Sequence, residues 1–183
     1  VYLFAYSVNQ GRSGLTLAWS LDKTEWHPIG PEYCFLFSDF GTWGSQKRMH
    51  SPFLYRDDDG MWHCFWTLND DITQFAHAAS ENLYEWGRQS YPIVMPGGNV
   101  LDLEVTAKET GWDVSWMCNV EGKEGVYRTI THDFKHYSET QKITEKERHD
   151  VRVEAEINGR IHTGMIVEVP WEMIEELIVH EEW

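Results

Sequence analysis

Two carboxylates, Asp102 and Glu104, stand two residues apart at the head of a strand-like run that ends at Lys108. Residues at that spacing share one face of a strand. Two carboxylates facing one cavity are the minimum equipment for glycoside hydrolysis. One acid protonates the leaving oxygen, and the other serves as base or nucleophile at the ring carbon. Like charges held close also raise one of the two pKa values, as a general acid requires. The competing reading is structural, because in a chain with 30 acidic residues a pair at this spacing arises by chance.

Four more residues belong to the same neighbourhood as candidate substrate contacts. Aligning two strand–turn–strand units on their turn glycines, Gly60 and Gly111, gives an offset of 51 and sets Ser51 opposite Asp102. Arg48 and His50 immediately precede Ser51. Arg48 suits a carboxylate or sugar hydroxyls, or alternatively a salt bridge to a loop acid such as Asp39. Trp43, in the Gly- and aromatic-rich stretch Gly30–His50, suits stacking on a sugar ring or packing over a sheet. A loop of this length in a compact domain is usually functional or disordered, and its aromatic content speaks against disorder. His63 and His77 lie within strands and lack metal-ligand spacing. No Cys/His metal motif, Gly-rich phosphate loop or Gly-x-Ser-x-Gly elbow is present, so neither metal nor cofactor is expected.

The elements that must position these residues announce themselves by repetition. Ser20, Asp22 and Trp26 recur as Ser80, Asn82 and Trp86, and again as Thr131, Asp133 and Tyr137, with starts 60 and then 51 residues apart. A strand-like run precedes each copy. A period near 50 residues of strand, polar turn and aromatic predicts stacked four-stranded sheets, hence an all-β, β-propeller-like array. Asp57-Asp58-Asp59-Gly60 and Glu109-Thr110-Gly111 read as hairpin turns, as does Asn158-Gly159 between Val151–Ile157 and Ile161–Val169. Trp86–Ser90 and a segment near Tyr137 read as outer strands, and Thr140–Asp150 as an exposed connection. Pro170 opens a short helix over Trp171–His180.

The chain reads as a single propeller-like domain, 1–183, cut from a longer protein, with an incomplete or reduced ring. Its repeat units fall near 1–30, 51–90 and 101–141, with closing strands and helix at 151–183. The last two strands are placed to complete the first unit.

Composition limits the partners. A net charge of −15 with only 15 Lys and Arg argues against nucleic acid and against anionic membranes. No stretch is long and apolar enough to read as a transmembrane helix. The three cysteines, Cys34, Cys64 and Cys118, have no ligand spacing and read as buried thiols. Ten Trp, eight Tyr and eight Phe supply core packing and, where exposed, platforms for sugar rings.

The run Tyr2–Tyr6, with Gly14–Ser20, Asp22 and Trp26, resembles the opening of family-43 glycoside hydrolases and their relatives in gut Bacteroidetes. Ser51-Pro52-Phe53-Leu54 with Asp59–Trp62 resembles that family's first acidic motif. Phe75–Ser80 with Leu83 and Trp86 resembles its blade ending, and Gly164-Met165-Ile166 its closing strand. The resemblance implies a five-bladed propeller that releases arabinofuranose or xylose from plant polysaccharides by means of an Asp base, a Glu acid and a supporting Asp. It also implies a periplasmic or secreted setting. Ser51 stands where the base Asp belongs and cannot serve as one, Asp102 matches the supporting Asp by position, and no motif assigns the acid. Two functions stay open. One is a glycoside hydrolase using Asp102 and Glu104. The other is a non-catalytic glycan-binding or scaffolding domain, with a neighbouring domain or second copy completing the propeller.

Overall fold

The computed structural model describes residues 1–30, 34–41, 47–69 and 72–182, and is all-β apart from one helix and two 3-10 turns. The strands are β1 (Tyr2–Tyr6), β2 (Thr16–Ser20), β3 (His27–Pro28), β4 (His50–Arg56), β5 (Trp62–Thr67), β6 (Phe75–Ser80), β7 (Leu101–Lys108), β8 (Gly111–Cys118), β9 (Gly125–Thr131), β10 (Gln141–Ile143), β11 (Arg152–Ile157) and β12 (Arg160–Glu168). The helix α1 spans Trp171–Glu181. Among the described residues no helix is long and apolar enough to cross a membrane.

Three antiparallel sheets form a reduced propeller-like array, in the orders β11-β12-β1-β2-β3, β4-β5-β6 and β7-β8-β9-β10. The first sheet is built from both ends of the chain, with Phe4 pairing Ile166 on one side and Ala18 on the other. The closing strands therefore complete the first unit, as the sequence suggests. Two outer strands differ from expectation. Trp86, Ser90 and Tyr137 make only isolated bridges, to Ser80, His77 and Thr131. The fourth strand of the third sheet is β10, within the segment expected to be an irregular connection. Both outer edges are short and polar, so alternation carries little signal there.

The sequence repeat has a simple physical origin. After β2, the Ser20 hydroxyl accepts the Asp22 and Lys23 N–H groups at 3.2 and 2.9 Å, and Asp22 Oδ1 accepts those of Thr24 and Glu25 at 2.8 and 3.0 Å. Ser80 with Asn82 and Thr131 with Asp133 repeat the arrangement. In all three turns the next residue is left-handed: Lys23, Leu83 and Phe134 have φ of 65°, 70° and 54°. Short side-chain oxygens that cap the backbone locally reverse the chain with no long loop.

One apolar core runs through all three sheets, with Leu3 and Leu17, then Phe53, Phe65 and Trp66, then Leu103, Val105 and Trp116. Ile174 and Leu177 of α1 are buried in it too. Trp171 at the start of α1 meets Trp19, and His180 near its end stacks on Tyr84 at 4.2 Å, so the helix spans the first and second sheets. All three cysteines are free thiols, Cys64 and Cys118 buried and Cys34 half-buried.

Between the second and third sheets lies a buried polar chain. Asp57 Oδ2 is 3.0 Å from His63 Nε2, and His63 Nδ1 is 2.9 Å from His77 Nε2. The carboxylate can only accept, so with both rings neutral His63 donates to Asp57 and His77 donates to His63. Phe134 stacks on His63 at 4.0 Å and Trp112 on Phe134 at 4.3 Å, sealing the chain from water. Burial, and then the neighbouring His63, lowers His77 from 6.5 to about 3. Burial lowers His63 as well, against the opposing pull of Asp57. The unfolded chain therefore takes up protons below about pH 6.5 that the folded one refuses. Stability falls as pH drops, by about 1.4 kcal/mol per pH unit for each histidine kept neutral. Thermal unfolding from pH 7 to 5 is expected to show a falling Tm. His77→Phe removes one of those protons and flattens the slope; an unchanged slope in that variant would refute the account.

Candidate functional site

The three sheets converge on one side chain. Arg152, at the start of β11, donates from Nη1 to the Pro52 carbonyl at 2.7 Å, and from Nη2 to the Ser51 and Leu103 carbonyls at 2.6 and 3.2 Å. Those carbonyls belong to β4 and β7, so the guanidinium joins the inner strands of all three sheets. Burial pulls Arg152 down to about 10, partly offset by the charge of Asp102, and it remains charged at neutral pH.

Around it the inner strands begin alike. Ser51, Asp102 and Asp150 have φ of 48°, 50° and 48°, a conformation that costs an L-residue about 1–2 kcal/mol. The ladders of β4 and β7 are irregular at the same place, between His50 and Phe53 and between Leu101 and Glu104. The alignment of Ser51 with Asp102 thus corresponds to matching backbone positions. Asp150 is a third member that the turn-glycine alignment did not reach, although it too stands just ahead of an alternating strand. The irregularity also means that Asp102 and Glu104 are not related by simple strand alternation.

Asp102, Glu104 and Asp150 nonetheless line one cavity of about 330 Å³, together with Arg148 and Arg152. Glu104 is only 2% exposed, and both its oxygens are engaged. Oε1 accepts the His149 N–H at 2.6 Å, and Oε2 lies 3.3 Å from Arg148 Nη2. The same Arg148 nitrogen donates to the Asp102 carbonyl. Glu104 therefore clasps the segment leading into β11 onto β7.

His50 and Ser51 line a different and larger space, a cleft of about 800 Å³. Its walls are the ends of β1 and β2, the 3-10 turn Asn9–Gly11, the start of β4 and the β11–β12 hairpin tip. Gly11, at φ 79°, is packed against Met49 and His50, where a Cβ would fall 2.8 Å from the Met49 carbonyl oxygen. Arg48 reaches the rim, donating to the Gln10 carbonyl at 3.3 Å. Four non-glycine residues with left-handed backbone line the cleft, namely Asn9, Gln10, Ser51 and Asn158. Strain of this kind gathers where a fold serves a ligand. Trp43 lies outside the described residues. The expected site residues thus divide, with Asp102 and Glu104 in the small cavity and His50 and Ser51 in the cleft. Arg148, Arg152 and Arg160 escaped the sequence reading because their partners are mostly backbone carbonyls or open space.

This architecture is a reduced, propeller-like array of antiparallel sheets. Among solved structures it is similar to an α-L-arabinanase from Penicillium chrysogenum complexed with arabinobiose, with TM-score 0.53 and 16% identity over 84% of this chain and 48% of that one. It is also similar to a glycosyl hydrolase from Bacteroides ovatus, with TM-score 0.50 and 17% identity over 76% of this chain and 50% of that one. The chain spans about half the length of each. No family model and no curated protein matches the sequence. The likeness is one of fold.

Removing the shared guanidinium leaves buried carbonyls unsatisfied, at about 1–3 kcal/mol each. Arg152→Met is expected to cost on the order of 3 kcal/mol or more. Arg152→Lys should lose a large part of that, because an ammonium lacks the planar fork. Urea unfolding tests this, and a loss below about 1 kcal/mol for Arg152→Met would contradict the role given to the guanidinium.

Proposed function

We propose that this chain is a carbohydrate-active protein of the glycosidase type that binds plant-type oligosaccharides in the large cleft without hydrolysing them. One observation carries the reading: none of the described residues lining the 800 Å³ cleft is a carboxylate, whereas Glu104 is buried with both oxygens engaged. In most glycoside hydrolases, hydrolysis by either stereochemical route uses two carboxyl groups flanking the scissile bond. The cleft instead offers amides and hydroxyls, from Asn9, Gln10, Thr16, Asn158 and Thr163, that pair with sugar hydroxyls as donors and acceptors. Its volume lies in the range of small-ligand sites. That the arabinanase neighbour is complexed with arabinobiose makes arabino- and xylo-oligosaccharides the first ligands to test.

A second reading, an arabinofuranosidase or xylosidase, draws on Asp102, Glu104 and Asp150 lining one cavity. Activity on aryl α-L-arabinofuranoside and β-D-xyloside, measured beside calorimetric binding of the oligosaccharides, separates the two. Binding without turnover is expected, with Thr163→Trp, which fills the cleft from its exposed wall, weakening binding at least tenfold. Turnover abolished by Asp102→Asn or Glu104→Gln would overturn the binding reading in favour of catalysis.

A further inference from the structure

The large cleft differs in charge from the rest of the molecule. About one residue in six of the chain is acidic, yet none of the sixteen described residues lining the cleft is Asp or Glu. Three other cavities hold four, three and two carboxylates respectively. The permanent positive charge in the cleft wall is Arg160, and Arg48 stands at the rim. Arg160 lies at the exposed start of β12, and its side chain makes no ion pair or hydrogen bond among the described residues. Its charge is felt by His162, which is lowered first by burial and then by Arg160. His162 packs on Tyr6 at 4.9 Å, which fixes one wall beside the guanidinium.

In a protein with net charge −15, a cavity with no carboxylate among its described lining residues has a consequence. An anion is repelled by the rest of the surface and finds one place where local charge favours it, since clefts lined by one sign focus the field. A planar guanidinium matches a carboxylate through two parallel N–H donors. The surrounding amides and hydroxyls suit the hydroxyl groups of the same ligand. We infer that the cleft recognises an acidic oligosaccharide, one whose uronate carboxylate is held by Arg160 while its hydroxyls meet Asn9, Gln10 and Asn158. The inference rests on the oligosaccharide-binding reading of this cleft and assigns the sugar class.

The test compares trigalacturonate with its methyl ester, which keeps the hydroxyls and loses the charge, by calorimetry on the intact chain. The acid form is expected to bind at least tenfold more tightly. Arg160→Gln should abolish that difference by bringing the acid's affinity down to that of the ester, and Arg160→Lys should retain only part of it. Arg160 is exposed at a hairpin tip, so these variants are expected to fold, and circular dichroism checks that they do. Equal binding of acid and ester, unaffected by Arg160→Gln, would overturn the uronate assignment and leave oligosaccharide binding standing. A sulfated oligosaccharide bound through Arg160 in place of the uronate would likewise overturn it. Absence of binding by either galacturonate form and by arabino- and xylo-oligosaccharides would overturn the oligosaccharide reading itself.

Discussion

Three sheets that share no ladder are held in register by one guanidinium. Arg152 reaches from β11 to carbonyls of β4 and β7, and its donors satisfy backbone groups next to two ladder irregularities. A propeller centre built around a ligand site leaves room along the inner strands. Here the interior beside the strand starts is occupied by a protein cation. The left-handed residues Ser51, Asp102 and Asp150 are part of the same solution, because turning the chain there brings the strand starts towards Arg152. That local strain is offset by charge-assisted hydrogen bonds, which are roughly twice as strong as neutral ones.

The arrangement also gives several of the carboxylates a structural task. Glu104 sits on the face of the third sheet covered by the segment 144–150, where Arg148 and His149 engage it. Further along that face Asp113 pairs with Arg128, which also meets Glu147. In a larger propeller an adjoining blade covers such a face with side chains of its own. In this chain a short polar segment covers it, and the acids serve as its anchors. The described residues lining the larger cleft include no acid, and they offer amides and hydroxyls instead.

Much of the fold was legible because its signals are local. The Ser-x-Asp turn fixes its own geometry by hydrogen bonds within a few residues, so three copies at similar spacing revealed three sheets. Asp57–Gly60, Gly111 and Asn158-Gly159 each mark a reversal that the chain must make there. The outer strands were less legible, since Trp86, Ser90 and Tyr137 lie at edges where pairing is reduced to single bridges. The site was legible only in part. Placing Ser51 opposite Asp102 identified equivalent backbone positions, but it could not show that His50 and Ser51 open into one cavity and Asp102 into another. Arg152 acts through backbone carbonyls, which every residue possesses, and Arg148 joins one such carbonyl to a carboxylate 44 residues away in sequence, so no local pattern of side chains pointed to them.

The first sheet has a consequence for how the molecule is assembled. Its central pair joins β1 to β12, so strands from opposite ends of the described chain lie side by side, with Tyr2 opposite Glu168 and Tyr6 opposite Gly164. The second and third sheets can form from neighbouring segments as soon as these are made, whereas the first must wait for β12. Contacts between residues so distant in sequence are slow to form. During synthesis β1 and β2 therefore emerge with one side of their ladder unpaired and stay so until β12 is made, an exposed edge of the kind that recruits other chains. Pairing of β1 with β12 thus joins segments far apart in sequence, and the β1 edge stays open to other chains until that contact forms.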